Sequence, residues 1–325
     1  MVRYIVYGAG GIGGVVGGRL AQHGHDVELI ARGPHAAAIR EHGLRVDLPD
    51  SSHVFHLPVA EAPAEITFTD DDVVLLAVKS QDTSAALDAL ALAAPPDVPV
   101  VCLQNGVANE RMALRRFPNV YAVPVLCPTG HLEPGVVIGY STPTTGIFDI
   151  GRFPSGSDEL CATVAAAFSS SAMVSVVRDD VMRWKYAKLL NNLGNAIEAL
   201  CGPMENSLDG MVRAEGEAVF RAAGIEFASQ AEDRERRGDL IRIRPVRGKR
   251  RGGGSTWQSF TRGIGRIETD YLNGEVVQLG RLHAVPTPVN EALQRIATRL
   301  AAFHIAPGGM TEQEILAQVR QPPQT

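Results

Sequence analysis

Apolar and polar positions follow one rhythm in the first half of the chain and another in the second. Continuous apolar runs recur at Tyr4 to Tyr7, Val73 to Val78, Val98 to Leu103 and Val120 to Val125, with Asp26 to Ile30 as a mixed run. Runs without alternation suit strands of a parallel sheet covered on both faces. Gly135 to Gly139, Thr145 to Ile150 and Met173 to Val177 read as further strands. Between them lie helical stretches from Thr83 to Ala93, stopped by Pro95-Pro96, and from Ser157 to Ser169. Strands alternating with helices predict a doubly wound α/β sheet. From Asp179 the period becomes helical. Asp179 and Asp180 read as caps of one long helix to about Leu200. Helices are then expected at Asp209 to Ala223, Ser229 to Arg237, around Trp257, Phe260 and Ile264, at Glu275 to Leu282 and at Val289 to Phe303. The tail, Gln321 to Thr325, reads as disordered. The pattern places a boundary near 178–180, between a sheet domain over 1–178 and an all-α domain over 179–325.

The first apolar run enters Gly8-Ala9-Gly10-Gly11-Ile12-Gly13, and a helical pattern through Val15, Val16 and Leu20 follows. G-x-G-x-x-G between a strand and a helix is the dinucleotide fingerprint of a Rossmann domain. Gly8 makes the tight turn, Gly10 admits a pyrophosphate to the backbone, and Gly13 lets helix and strand pack closely. The helix N-terminus offers unbonded N–H groups to the anion. The next strand ends at Ala31-Arg32-Gly33. An acid there would take a ribose 2′-hydroxyl, whereas a guanidinium meets a 2′-phosphate. Glu28 stands too early in the strand, and no nearby carboxylate is expected to repel the extra charge. The expected cofactor is therefore NADPH/NADP, with Arg40 either assisting or solvated.

Composition narrows the alternatives. The chain has 325 residues and a formal charge of −5, which does not point to nucleic acid. Its four cysteines are scattered and its histidines lack ligand spacing, so no zinc site or disulfide framework is expected. No apolar run is long enough to span a bilayer, and the first residues already read as a strand rather than a signal peptide. The expected location is the cytoplasm. The basic stretch with Arg242, Arg244, Arg247, Lys249, Arg250 and Arg251 is not interleaved with aromatics, so a solvated, mobile loop is expected there. A lid over the cofactor phosphates, hinged at Gly252 to Gly254, is the rival reading.

Chemistry concentrates on the long helix. Trp184, Lys188, Asn192 and Asn195 fall at i, i+4, i+8 and i+11 and would share one face beside Leu189, Leu193, Ile197 and Leu200. Asparagine is a mediocre helix former, so Asn and Lys without carboxylates point to a cleft rather than a solvated face.

Trp184-x3-Lys188-Leu189-x2-Asn192, Lys79 after Leu75 to Val78, the Gln104-Asn105-Gly106 turn, and Glu268-Thr269-Asp270-Tyr271-x-Asn273-Gly274 together resemble the ketopantoate reductase (2-dehydropantoate 2-reductase) family. The similarity spans almost the whole chain. It implies a Rossmann domain, a helical C-terminal domain, a site in the cleft between them, and NADPH-dependent reduction of ketopantoate to pantoate. It further implies Lys188 as catalytic lysine and Glu268 as catalytic glutamate. By the same resemblance, Asn105 lies beside nicotinamide and substrate, Asn192 at the substrate's hydroxyl end and Lys79 near the cofactor. Thr256, with its neighbour Ser255, falls at the substrate carboxylate. The sequence departs from the family where Ala196 occupies the place of a second asparagine, with Asn195 one position early, and where Thr256 replaces serine.

Reducing a 2-keto acid needs a cation at the developing alkoxide and a proton, and an ammonium at Lys188 supplies both. Lys185 is the rival lysine, and Glu268 has the alternative of merely capping the helix near Thr269. Two other functions compete: reduction of a different 2-keto or 3-hydroxy acid, and a non-catalytic NADPH-sensing role. The apolar helix faces of the second half serve either a homodimer or only a core.

Overall fold

The computed structural model describes residues 2–202, 207–263 and 265–320. Ile264 and the tail Gln321 to Thr325, which carried expectations above, lie outside them. The chain forms two compact units. The first runs to Gln104 and takes in Ala108–Lys185 and Gln230–Arg251. The second comprises Asn105–Val107, Tyr186–Ser229 and the described residues from Gly252 onward.

In chain order the first unit contains β1 (Arg3–Tyr7), α1 (Gly11–Gln22), β2 (Asp26–Ile30), α2 (Gly33–His42), β3 (Leu44–Asp47), β4 (Ser52–Phe55), β5 (Val59–Ala60), β6 (Asp72–Leu76), α3 (Thr83–Ala91), β7 (Val100–Cys102), α4 (Asn109–Leu114), β8 (Val120–Ala122), β9 (Thr129–Gly130), β10 (Val136–Gly139), β11 (Ser141–Pro143), β12 (Gly151–Arg152) and α5 (Glu159–Ser170). Its main sheet has the order β12-β8-β7-β6-β1-β2-β5. All neighbours are parallel except the edge strand β12. The chain leaves β1 toward β2 on one side and resumes at β6 on the other, so the carboxyl end of β1 is the switch point where such sheets bind ligands. Side-chain alternation explains the unbroken apolar runs. Tyr4, Val6, Leu29 and Leu75 join the core on one face, and Ile5, Tyr7, Val74 and Leu76 the core on the other.

Gly135 to Gly139, expected as a strand, supplies β10 of a second sheet with the order β4-β3-β10-β9. Helix α1 serves both sheets, which accounts for its many glycines. A Cβ built at Gly17 would stand 3.1 Å from Leu29 of β2, while one at Gly18 would come within 2.5 Å of Val46 of β3. Thr145 to Ile150 and Met173 to Val177 form isolated bridges rather than strands, pairing Ile147 with Leu126 and Val174, and Ile150 with Val177.

The expected long helix is two. α6 (Val181–Asn192) stops at Leu193-Gly194, and α7 (Asn195–Cys201) starts afresh. Then follow α8 (Leu208–Ala222), α9 (Gln230–Arg237), β13 (Ile241–Ile243), α10 (Ser255–Thr261), α11 (Asn273–Leu282), α12 (Pro288–Ala302) and α13 (Glu312–Arg320). α9 and β13 pack in the first unit although the helical pattern grouped them with the second half. Asp149, 2% exposed, draws them there by accepting from both Arg178 and Arg236. β13 pairs with β11, Arg244 with Asp50 and Arg247 with Asp47. The basic stretch is solvent-exposed, as expected, but it opens in strand β13 and continues into a turn engaged by acids remote in sequence rather than running as plain loop. Gly252 and Gly253 close on the Trp257 indole, which stands 2.6–2.9 Å from the Cβ positions they lack.

Candidate active site

The glycine turn has the geometry its spacing predicts. Gly8 has φ +104°, and a Cβ there would meet the Val78 backbone nitrogen at 2.7 Å. At Gly13 it would stand 2.2 Å from the Gly8 carbonyl. Both glycines are demanded by the protein's own packing. Gly10 is different: a Cβ there would find only His131 Nδ1, at 3.6 Å. That is ordinary contact, so the protein's own packing does not demand glycine here and a ligand's close approach would. The first turn of α1 carries neither an acid nor a side-chain cap, so its field favours an anion. His35 braces the turn from behind. Its Nδ1 accepts from Gly135 N–H at 2.9 Å, which leaves Nε2 to donate to the Ala9 carbonyl at 2.8 Å.

Arg32 ends β2 as an exposed residue next to the first turn of α2, and Glu28 is engaged by Arg3 at 3.2 Å. One expectation fails here. The register Ile30↔Ala60 sets Glu61 beside the end of β2, although it is distant in sequence. Its carboxylate accepts from Arg40 at 2.6 Å and from the Gly33 backbone, and these bonds, the first above all, hold it below the usual carboxylate range. A negative charge therefore does stand near Arg32, and Arg40 is committed to it. Lys79 follows β6 and precedes the 3-10 turn Ser80–Asp82.

In the second unit the amide chain is continuous. Lys188, half-buried, donates to Asn192 Oδ1 at 2.8 Å, and Asn192 Nδ2 donates to Asn105 Oδ1 at 2.9 Å. Gly106, at φ +79°, lies so close to Tyr271 that a Cβ would stand 2.9 Å from its carbonyl. The Asn105 turn thereby abuts the 3-10 turn Glu268–Tyr271. Glu268 is buried, and Arg262 lies within its field: burial lowers the Arg262 guanidinium's pKa and Glu268 partly offsets that. Glu198 accepts from Gly254 N–H at 3.0 Å, and Asn195 Oδ1 lies 3.7 Å from the Cβ position of Gly254. This fixes the start of α10, where Ser255 is half-buried and Thr256 buried.

The structure divides the expected stripe. Lys188 and Asn192 stay together, Asn195 begins a new helix and turns toward Gly254, and Trp184 packs under Arg178, 4.0 Å from guanidinium to ring. The helix ends at Asn192 because Asn273 donates to the Leu193 carbonyl at 3.1 Å and replaces an intrahelical partner. Lys185, the rival lysine, is 2% exposed and pairs with Glu110. All four cysteines are free, and burial pushes the Cys127 thiol up to about 12 and Cys161 to about 11, which disfavours thiolate at neutral pH. Among the described residues no helix is long and apolar enough to cross a membrane.

Family models for ketopantoate reductase PanE/ApbA match residues 4–154 and, for its C-terminal part, 180–301. The chain belongs to the ketopantoate reductase PanE/ApbA family. It is 33% identical to the 2-dehydropantoate 2-reductase of Halobacterium salinarum, over 90% of this chain and 96% of that one. A PanE/ApbA family ketopantoate reductase from Ralstonia eutropha superposes with a TM-score of 0.76 at 29% identity, covering 93% and 99% of the two chains. D-mandelate dehydrogenase in complex with NADH and anilino(oxo)acetate superposes at 0.78 with 21% identity, covering 93% and 99%, which shows a shared fold. Family membership makes the chain an oxidoreductase with an N-terminal Rossmann sheet and a helical C-terminal region. Sequence reasoning missed Glu61, Arg262 and Glu198, whose placement depends on contacts between distant segments. Asn273 was visible within the quoted motif but carried no assigned role.

Proposed function

We propose that this protein reduces ketopantoate to pantoate with NADPH, and that Lys188 is the general acid. The observation that carries this reading is the hydrogen-bonded chain Lys188–Asn192–Asn105 in a member of this family. NADPH bound over the Gly8–Gly13 turn would supply the hydride. Gly10 and the first turn of α1 would hold the pyrophosphate, Arg32 the 2′-phosphate, and Lys79 the cofactor's edge. Lys188 donates a proton to the substrate's carbonyl oxygen as negative charge develops there. Asn192 holds the ammonium in place through its Oδ1 and keeps the Asn105 amide in one orientation. Glu268 orients Lys188 or accepts from a substrate hydroxyl. Asn195, Ser255 and Thr256, gathered at the start of α10, take the substrate carboxylate and its neighbours.

A second reading has an observation behind it. Ala196 is buried and apolar where an asparagine is expected, and Asn195 faces Gly254 instead. That change alters the pocket's polar end and favours a keto acid other than ketopantoate. Initial rates of NADPH oxidation with ketopantoate, pyruvate and 2-ketoisovalerate separate the two. A kcat/KM highest for ketopantoate supports the first reading. Preference for another 2-keto acid supports the second, and no turnover with any of them refutes both.

A further inference from the structure

Lys185 and Glu110 form an ion pair at 2% and 0% exposure. A buried pair is by itself weak evidence of a stabilising role, because well-packed apolar residues serve equally well at many such sites. What the ammonium adds is one more hydrogen bond: Lys185 Nζ donates to the backbone carbonyl of Gln104 at 3.0 Å. That carbonyl belongs to the peptide whose N–H is that of Asn105. The Gln104 side chain is tied as well, donating to the Val78 carbonyl at 2.9 Å and to Thr83 Oγ1 at 2.7 Å. Thr83 donates to Asn109 Oδ1 at 2.8 Å, and Asn109 donates to Ser80 Oγ at 3.1 Å. Ser80, Thr83, Gln104, Asn109, Glu110 and Lys185 are all buried. The chain of bonds reaches from the loop after Lys79 to the residue before Asn105, and it is followed by Gly106 at φ +79°.

We propose that Lys185, with Glu110 as its counter-charge, is a positioning residue of this enzyme: by clamping the Gln104–Asn105 peptide plane it sets the direction of the Asn105 amide. The inference rests on the role given to Asn105 above. Lys185 touches neither substrate nor cofactor in this assignment. It acts through a backbone carbonyl, which explains why a second lysine stands one turn before Lys188 on the same helix.

The decisive variant is Lys185→Met combined with Glu110→Leu, which removes both charges and leaves no buried ion unpaired. It is expected to fold and to bind NADPH as the parent does. Its kcat should fall by about 10- to 100-fold, the range typical of a slightly misplaced group, and hydrogen exchange over residues 103–112 should quicken. The loss should not compound with that of Asn105→Ala, because both act through one side chain. Lys185→Gln with Glu110→Gln keeps an N–H donor for the Gln104 carbonyl and should recover most of the rate. Unchanged kcat and exchange in the apolar pair, full multiplication with Asn105→Ala, or an amide pair as slow as the apolar pair would overturn the proposal. If Asn105→Ala keeps its kcat while exchange quickens in the apolar pair, the role of Asn105 falls and the clamp stands.

Discussion

In the function proposed above, cofactor choice and proton delivery each fall to single side chains. Arg32 and Glu61 stand near the same strand end with opposite charge, so under that proposal they would pull selectivity in opposite directions. Arg32→Ala should weaken NADPH binding by about tenfold or more, a loss of ~1.4 kcal/mol, and leave NADH nearly unchanged. Glu61→Gln should shift the ratio of the two affinities toward NADPH. Fluorescence titration with each cofactor checks both, and equal effects on the two cofactors would contradict the assignment. Lys188 is the proposed general acid. Lys188→Ala should lose about 10²–10⁴ in kcat while NADPH titrates as before, a split that stopped-flow and binding measurements can read separately.

Elements act by where they begin and end. The break between α6 and α7 puts Asn195 at the start of a new helix, beside Gly254 at the start of α10. It is held by a buried amide pair: Asn273 donates to Leu193 and to Asn290 Oδ1 at 3.0 Å, and Asn290 donates to Val212 and to Glu215. Asn273→Ala leaves the Leu193 carbonyl without this donor and should cost about 1–3 kcal/mol, seen as a lower urea midpoint. If the break orders the substrate end, KM for the keto acid should rise in the same variant more than KM for NADPH. α1 shows the converse case, in which absent side chains let one helix lie against two sheets.

At the scale of the whole molecule, the chain's path does not follow its order. Residues 230–251 return to the first unit because Asp149 awaits two arginines and β11 awaits a partner. Arg236, half-buried, has its pKa raised by the hydrogen bond to Asp149. Asp149→Ala would leave Arg178 and Arg236 without their shared carboxylate. Breaking a buried pair typically costs about 3–5 kcal/mol, and here that loss falls on the docking of the returning segment. Limited trypsin digestion should then cut between Arg242 and Arg251 much faster than in the parent protein. An unchanged cleavage rate would mean that the pairing of β11 with β13 suffices alone.

The sequence by itself determined the glycine turn, the buried parallel strands, the helical second half and the pairing of Lys188 with Asn192. Each of these rests on residues close in the chain, where local sterics and side-chain period decide the outcome. Tertiary structure alone decided where α6 ends, why Lys185 is buried, where Glu61 stands and where the basic segment docks. Those outcomes depend on acceptors and counter-charges supplied by remote segments: Asn273 for Leu193, Glu110 for Lys185, the β5 register for Glu61, and Asp47, Asp50 and Asp149 for the returning arginines. Local pattern carries no record of such partners, because a buried polar group is satisfied by whatever the fold brings to it.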